Sequence, residues 1–122
     1  CPILSVQRSS GGDLTVTSAC TEINRCQYYL AWPGGNAHHF IVDGADNTLG
    51  DLTLSTHTAA DVKTALDALV PSSSQVWVYE NATPNPDVYE IYIKAPYGST
   101  FALGAAGSEV AFSESNCHPD YR

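Results

Sequence analysis

The sequence predicts an α+β domain: a predominantly antiparallel β-sheet or sandwich with one amphipathic helix, braced by disulfides. Three observations predict it. Apolar and polar residues alternate with a period of two through most of the 122 residues. A single segment instead repeats its apolar residues at three- and four-residue spacing. The 4 cysteines show neither the C-x-x-C pairing of zinc ribbons nor that of thioredoxin-like sites. One domain spanning 1–122 is expected, because the chain is long enough for one core but not for two of ordinary size. A hydrophobic content of 43% supplies the apolar surface that offsets the entropy of ordering the chain.

Ile3, Leu4 and Val6 precede Ser9-Ser10-Gly11-Gly12-Asp13, a turn-forming cluster, and Leu14, Val16 and Ala19 resume the apolar pattern, so these segments predict a hairpin. Residues 26–32 are rich in Tyr and Leu and stop at Pro33-Gly34-Gly35-Asn36, which predicts another strand ending in a sharp turn. Residues 38–43 (HHFIVD) and 51–55 (DLTLS) predict two more strands, with residues 44–50 between them as a loop.

The helix is predicted over 58–69. Val62, Ala65, Leu66 and Leu69 share one face, Thr58 stands at the N-cap, Asp61 follows three residues later, and Pro71 stops it. Residues 75–80 (QVWVYE) and 87–95 (DVYEIYIKA) form the clearest predicted hairpin: Val76 and Val78 oppose Trp77 and Tyr79, and Tyr89, Ile91 and Ile93 oppose Val88, Glu90 and Tyr92. Short strands at 101–103 and 110–112 complete the list.

Cys1, Cys20, Cys26 and Cys117 therefore read as a disulfide framework. Of the three pairings that four cysteines allow, Cys20–Cys26 across a short turn with Cys1–Cys117 tying the termini is preferred, and Cys1–Cys26 with Cys20–Cys117 stays open. Disulfides imply an oxidising compartment, so the expected location is extracellular: secreted, cell surface or virion. A chain that opens on Cys1 reads as processed; lipidation of that cysteine, or a bridge from it to a neighbouring subunit, are the competing explanations.

The net charge of −8, with the 5 basic residues scattered, disfavours a phosphate backbone, so no nucleic-acid partner is expected. No run approaches the roughly 18–20 apolar residues of a membrane span.

The segment from His39 to Phe112 resembles a module of bacterial surface-repeat proteins and phage tail or virion structural proteins, in which a strand leads into a T-A-A-x-V-x-x-A-L-x-A-L helix and then a hairpin. The matching residues are Thr58, Ala59, Ala60, Val62, Ala65, Leu66, Ala68 and Leu69, then Val76 and Val78, then Tyr89, Ile91 and Ile93. The resemblance implies an assembly or display module and carries over no site.

Asp43, Asp46, Asn47 and Asp51 crowd into nine residues around Gly44 and Gly50, oxygen donors of the kind that hold calcium on a flexible loop; turn formation explains the same residues. Asn81-Ala82-Thr83 fits the N-glycosylation pattern and is expected on an exposed loop, with Asn81 as acceptor. His38 and His39 alternate in direction and cannot easily chelate one ion, and Glu80 and Glu90 are a carboxylate pair that the hairpin would bring face to face. No nucleophile elbow, phosphate loop, H-E-x-x-H or dinucleotide fingerprint occurs, so no enzyme and no cofactor beyond calcium is expected. The expected function is a non-catalytic structural subunit of an extracellular filament or of a virion surface or tail, partnered by its own copies or neighbouring subunits. Sheet edges would hold it, with Ile3–Gln7 as a donor strand. A secreted adhesin- or lectin-like binding module using exposed Trp and Tyr is the alternative, and a small metal-dependent hydrolase is the weaker one.

Overall fold

The structure, a computed structural model, describes residues 3–8, 14–18, 25–36, 38–81, 88–115 and 117. In chain order its elements are β1 (Ile3–Arg8), β2 (Leu14–Ser18), β3 (Arg25–Trp32), β4 (His38–Val42), β5 (Ala45–Gly50), α1 (Ala59–Asp67), β6 (Gln75–Asn81), β7 (Val88–Pro96), β8 (Phe101–Ala105), β9 (Val110–Ala111) and β10 (Ser113–Ser115). β1 and β2 pair as the expected hairpin, a two-stranded sheet of their own. The Ile3–Gln7 segment, expected as a donor to another chain, is thus paired within its own chain along one edge.

The other strands form two four-stranded antiparallel sheets, ordered β10-β3-β7-β6 and β5-β4-β8-β9. Their inner faces share one core: Tyr28, Leu30, Trp32, Val76, Ile91 and Ile93 from the first sheet meet Phe40, Val42, Phe101 and Leu103 from the second. Tyr28 stands edge-on to Phe101 with ring centroids 5.0 Å apart, and Phe40 stacks on Phe101 at 5.9 Å. Each such side chain, removed from water, contributes about 1.5–3 kcal/mol of burial free energy, and this is what holds the sandwich closed.

The short strand expected over 110–112 is β9 (Val110–Ala111), and the chain crosses to the other sheet directly after Phe112. Phe112 donates its N–H to the Phe101 carbonyl at 2.9 Å, while Ser113 already pairs with Tyr29 of the opposite sheet. The chain changes sheets at a buried aromatic corner.

The alternation expected of β7 holds: Tyr89, Ile91 and Ile93 point into the sandwich core, and Tyr92 packs with Tyr29, Trp77 and Tyr79 on the other face. β7 is nevertheless buried along both faces, and β1 contacts it.

The helix begins as its sequence implies. The Thr58 hydroxyl accepts the Asp61 N–H at 3.3 Å and the Asp61 carboxylate accepts the Thr58 N–H at 2.9 Å, a capping box that satisfies two otherwise free amides. Val62 and Leu66 are wholly buried, and α1 packs against β6.

One stretch departs from expectation. Asp43 and Gly44 both have positive φ, +50° and +85°, and form a two-residue turn between Val42 and its cross-strand partner Ala45. Residues 45–50 are therefore strand β5 rather than a loop, and residues 51–55 are not a strand. The leucines of that second segment do face inward, but Leu52 exchanges backbone hydrogen bonds with Gly35, at 2.6 and 3.3 Å, instead of joining a sheet. Gly34 makes this approach feasible: its φ is +74°, and a β-carbon there would lie 2.6 Å from the Leu52 carbonyl oxygen.

Candidate functional site

The covalent brace is Cys26–Cys117, closing a separation of 91 residues. This overturns both pairings weighed from the sequence, because each assigned Cys26 and Cys117 to different partners. The reason is sheet order: β10 pairs with β3 in a register that sets Ser115 opposite Gln27, so the chain beyond β10 arrives beside Cys26. Cys26 is fully buried at the start of β3 and its disulfide adds to the shared core. Cys1 and Cys20 lie outside the described residues.

The four oxygen-bearing residues suggested for calcium do not converge. Asp43 lies at the turn, whereas Asp51 follows the far end of β5, roughly 15–20 Å of strand away. Each is occupied locally. Asp43 Oδ1 accepts the Thr100 N–H at 2.8 Å, and Asp46 holds His39 Nδ1 at 2.8 and 3.0 Å. The Asn47 amide donates to the carbonyls of Phe40 and Ala45, and Asp51 Oδ1 accepts the Thr53 hydroxyl at 2.6 Å and its N–H at 3.0 Å. These Thr53 bonds hold the Asp51 carboxyl below the usual range, with smaller help from His57 and His38. Among the described residues, the metal-type ligand atoms that gather within 4.8 Å are those of Cys26, Glu114 and Cys117, and both sulfurs there are already bonded to each other.

The histidines are separated, as alternation requires. His38 is buried edge-on to Trp32, ring centroids 4.5 Å apart, with neither nitrogen hydrogen-bonded among the described residues. His39 faces Asp46, and His57 Nδ1 is 3.0 Å from the Thr56 hydroxyl. The carboxylate pair dissolves for a similar reason. Glu90 stands opposite Tyr79 and Glu80 opposite Tyr89, so the two acids lie one step out of register on opposite faces. Glu80 accepts the Ala59 N–H of α1 at 3.2 Å, and buried Glu90 accepts the Tyr29 hydroxyl at 3.4 Å. Asn81 is the half-buried last residue of β6, opposite Val88, rather than a loop residue; Ala82 and Thr83 of the same pattern lie outside the described residues.

Two buried tyrosines mark how dry the sandwich is. Burial, reinforced by Glu114 and Asp43, pushes the Tyr28 phenol up to about 12, and its hydroxyl donates to the Ser99 carbonyl at 2.9 Å. Tyr89 is likewise pushed to about 12 by burial, with Glu80 next, and donates to the His57 carbonyl at 3.0 Å.

Among the described strands, β6 forms one end of the first sheet. β6 is seven residues long and terminates the sheet order. Across the outer face the register aligns Tyr29, Tyr92 and Trp77 in one row, with Tyr29 and Tyr92 centroids 4.9 Å apart and Tyr79 6.2 Å from Tyr92. A groove of about 290 Å³ lies beside α1 at the start of β6, lined by Lys63, Asp67, Ser74, Gln75, Val76 and Trp77, and Lys63 pairs with Asp67 along its helical wall. That Trp77 and Tyr79 lie on a terminal strand follows from sheet order, which no local signal carries. No described helix is long and apolar enough to cross a membrane. Comparison with protein families, characterised proteins and solved structures found nothing that matches this chain.

Proposed function

We propose that this chain is a non-catalytic structural subunit of an extracellular assembly, a filament or a virion surface, joined to its neighbours through sheet edges. One observation carries the reading. Among the described strands β6 (QVWVYEN) ends its sheet: it is seven residues long, contains no proline or lysine, and its one charge, Glu80, is drawn toward the N-terminus of α1, the helix that packs against it. A neighbouring strand would add to it through main-chain hydrogen bonds, and the half-buried Trp77 and Tyr79 would supply contact area. The disulfide supports an oxidising location, and the resemblance of the helix–hairpin segment to surface and virion modules points the same way.

Light scattering after size exclusion, together with negative-stain microscopy over a range of concentrations, tests it. Ordered polymers or particle-bound copies are expected, and Trp77→Lys with Tyr79→Lys should return the protein to monomer while leaving its circular dichroism unchanged. A wild-type protein that stays monomeric at every concentration overturns the reading. Binding of that monomer on a glycan array would favour the adhesin- or lectin-like alternative.

A further inference from the structure

We propose that β6 pairs with the β6 of a second copy of this chain, antiparallel and centred on Val78, so that the first sheets of the two copies join into one. This rests on the reading that sheet edges join the subunits, and it adds the partner, the register and the symmetry.

The strand (QVWVYEN) is complementary to its own reverse. Antiparallel about Val78, Gln75 meets the partner's Asn81, Val76 meets the partner's Glu80 and Trp77 meets the partner's Tyr79, each contact occurring twice. Amide faces amide and ring faces ring, while the one charge of the strand faces an aliphatic side chain instead of its own copy. Directly opposed residues of antiparallel strands project to the same side of a sheet, so these rings share the outer face. There Trp77 already stands opposite Tyr92, and Tyr92 opposite Tyr29, so the aromatic row of one copy runs on into the partner's Tyr79.

Other registers lose this match. A slip of one residue sets Trp77 against the partner's inward-facing Val78. A slip of two leaves two residues of each β6 unpaired and removes both Trp–Tyr contacts. α1 meets β6 by way of the inner face: Val62 and Leu66 join the core that holds Val76, and Glu80, on the same face as Val76, accepts the Ala59 N–H. The two-fold contact closes at two copies, so a longer assembly adds dimers through another sheet edge.

Sedimentation velocity on the full chain over a range of concentrations tests this, with two double variants at the ends of β6. Gln75→Lys with Asn81→Lys sets like charges opposite each other at both ends of the contact and should raise the dimer Kd about 2–30-fold. Bulk charge acts the other way, because added lysines reduce the net charge of −8 and with it the repulsion between copies. Gln75→Lys with Asn81→Glu changes the same positions but sets opposite charges together, so its Kd should equal or fall below that of the wild type. A parallel contact would oppose like charges in this second variant and weaken it. A wild-type chain that is monomeric at every concentration overturns both this proposal and the edge-contact reading. With a wild type that self-associates, a smallest assembly other than a dimer, an unchanged Kd in the first variant, or a second variant as weak as the first overturns the register alone and leaves the edge-contact reading standing.

Discussion

Replacing Cys26 and Cys117 together by alanine removes the longest covalent constraint described in the fold. The bridge spans 91 residues, and the chain-entropy relation for a loop of that length assigns it about 4.5 kcal/mol, because the unfolded chain regains the freedom that the bond had denied it. Cys26 is fully buried, so its truncation adds about 1 kcal/mol of lost packing. Typical domains are stable by about 5–15 kcal/mol, so the variant should fold but be marginal. Urea titration followed by Trp fluorescence should show the midpoint falling by about 2–4 M. The slope should steepen as well, since an unbridged chain exposes more surface when it unfolds. Amides of β10 should also exchange faster, because only three register pairs then hold that strand to β3. A loss below about 1 kcal/mol with unchanged slope would refute the reasoning, since it would mean that the unfolded chain gains nothing from release.

Leu66→Ala empties a wholly buried site where α1 meets the core and should cost about 2–5 kcal/mol by thermal or urea unfolding. Gly34→Ala forces a side chain into a positive-φ position 2.6 Å from the Leu52 carbonyl and should cost about 1–3 kcal/mol in the same assay, with the 51–55 segment losing exchange protection first. Because Tyr28 and Tyr89 titrate at about 12 when folded and near 10.0 when unfolded, the unfolded chain loses those protons first; stability should be intact below pH 10 and decline from there toward 12. Tyrosinate absorbance should show both ionising late, and Tyr28→Phe should remove one of them. Asp51 has the opposite sign: its folded value lies below 3.8, so its contribution is present above that pH and disappears as pH falls through the folded value. Thr53→Val should return the Asp51 carboxyl resonance toward ordinary titration in an NMR pH series.

The fold class was legible from the chain because period and capping are local properties. Alternation in residues 88–93 set which side chains enter the core, and Thr58 with Asp61 marked where the helix begins, since both depend on neighbours a few positions away. The exchange of strand and loop over residues 44–55 had a local signal that went unused: Asp43-Gly44 is the dipeptide of a two-residue hairpin turn. For the calcium ligands, a crowded stretch of sequence became an extended hairpin arm, which separates residues that a loop would have gathered.

Outside residues 44–55, what the sequence alone determined was therefore the type and inward face of the main elements, together with the oxidised state expected of the cysteines. Only the tertiary structure decided which strands lie side by side. That choice pairs Cys26 with Cys117, sets Glu80 and Glu90 on opposite faces and leaves β6 terminal. The physical reason is that strand order is selected by burial of a whole sheet face, a sum over distant residues that no window of the chain contains.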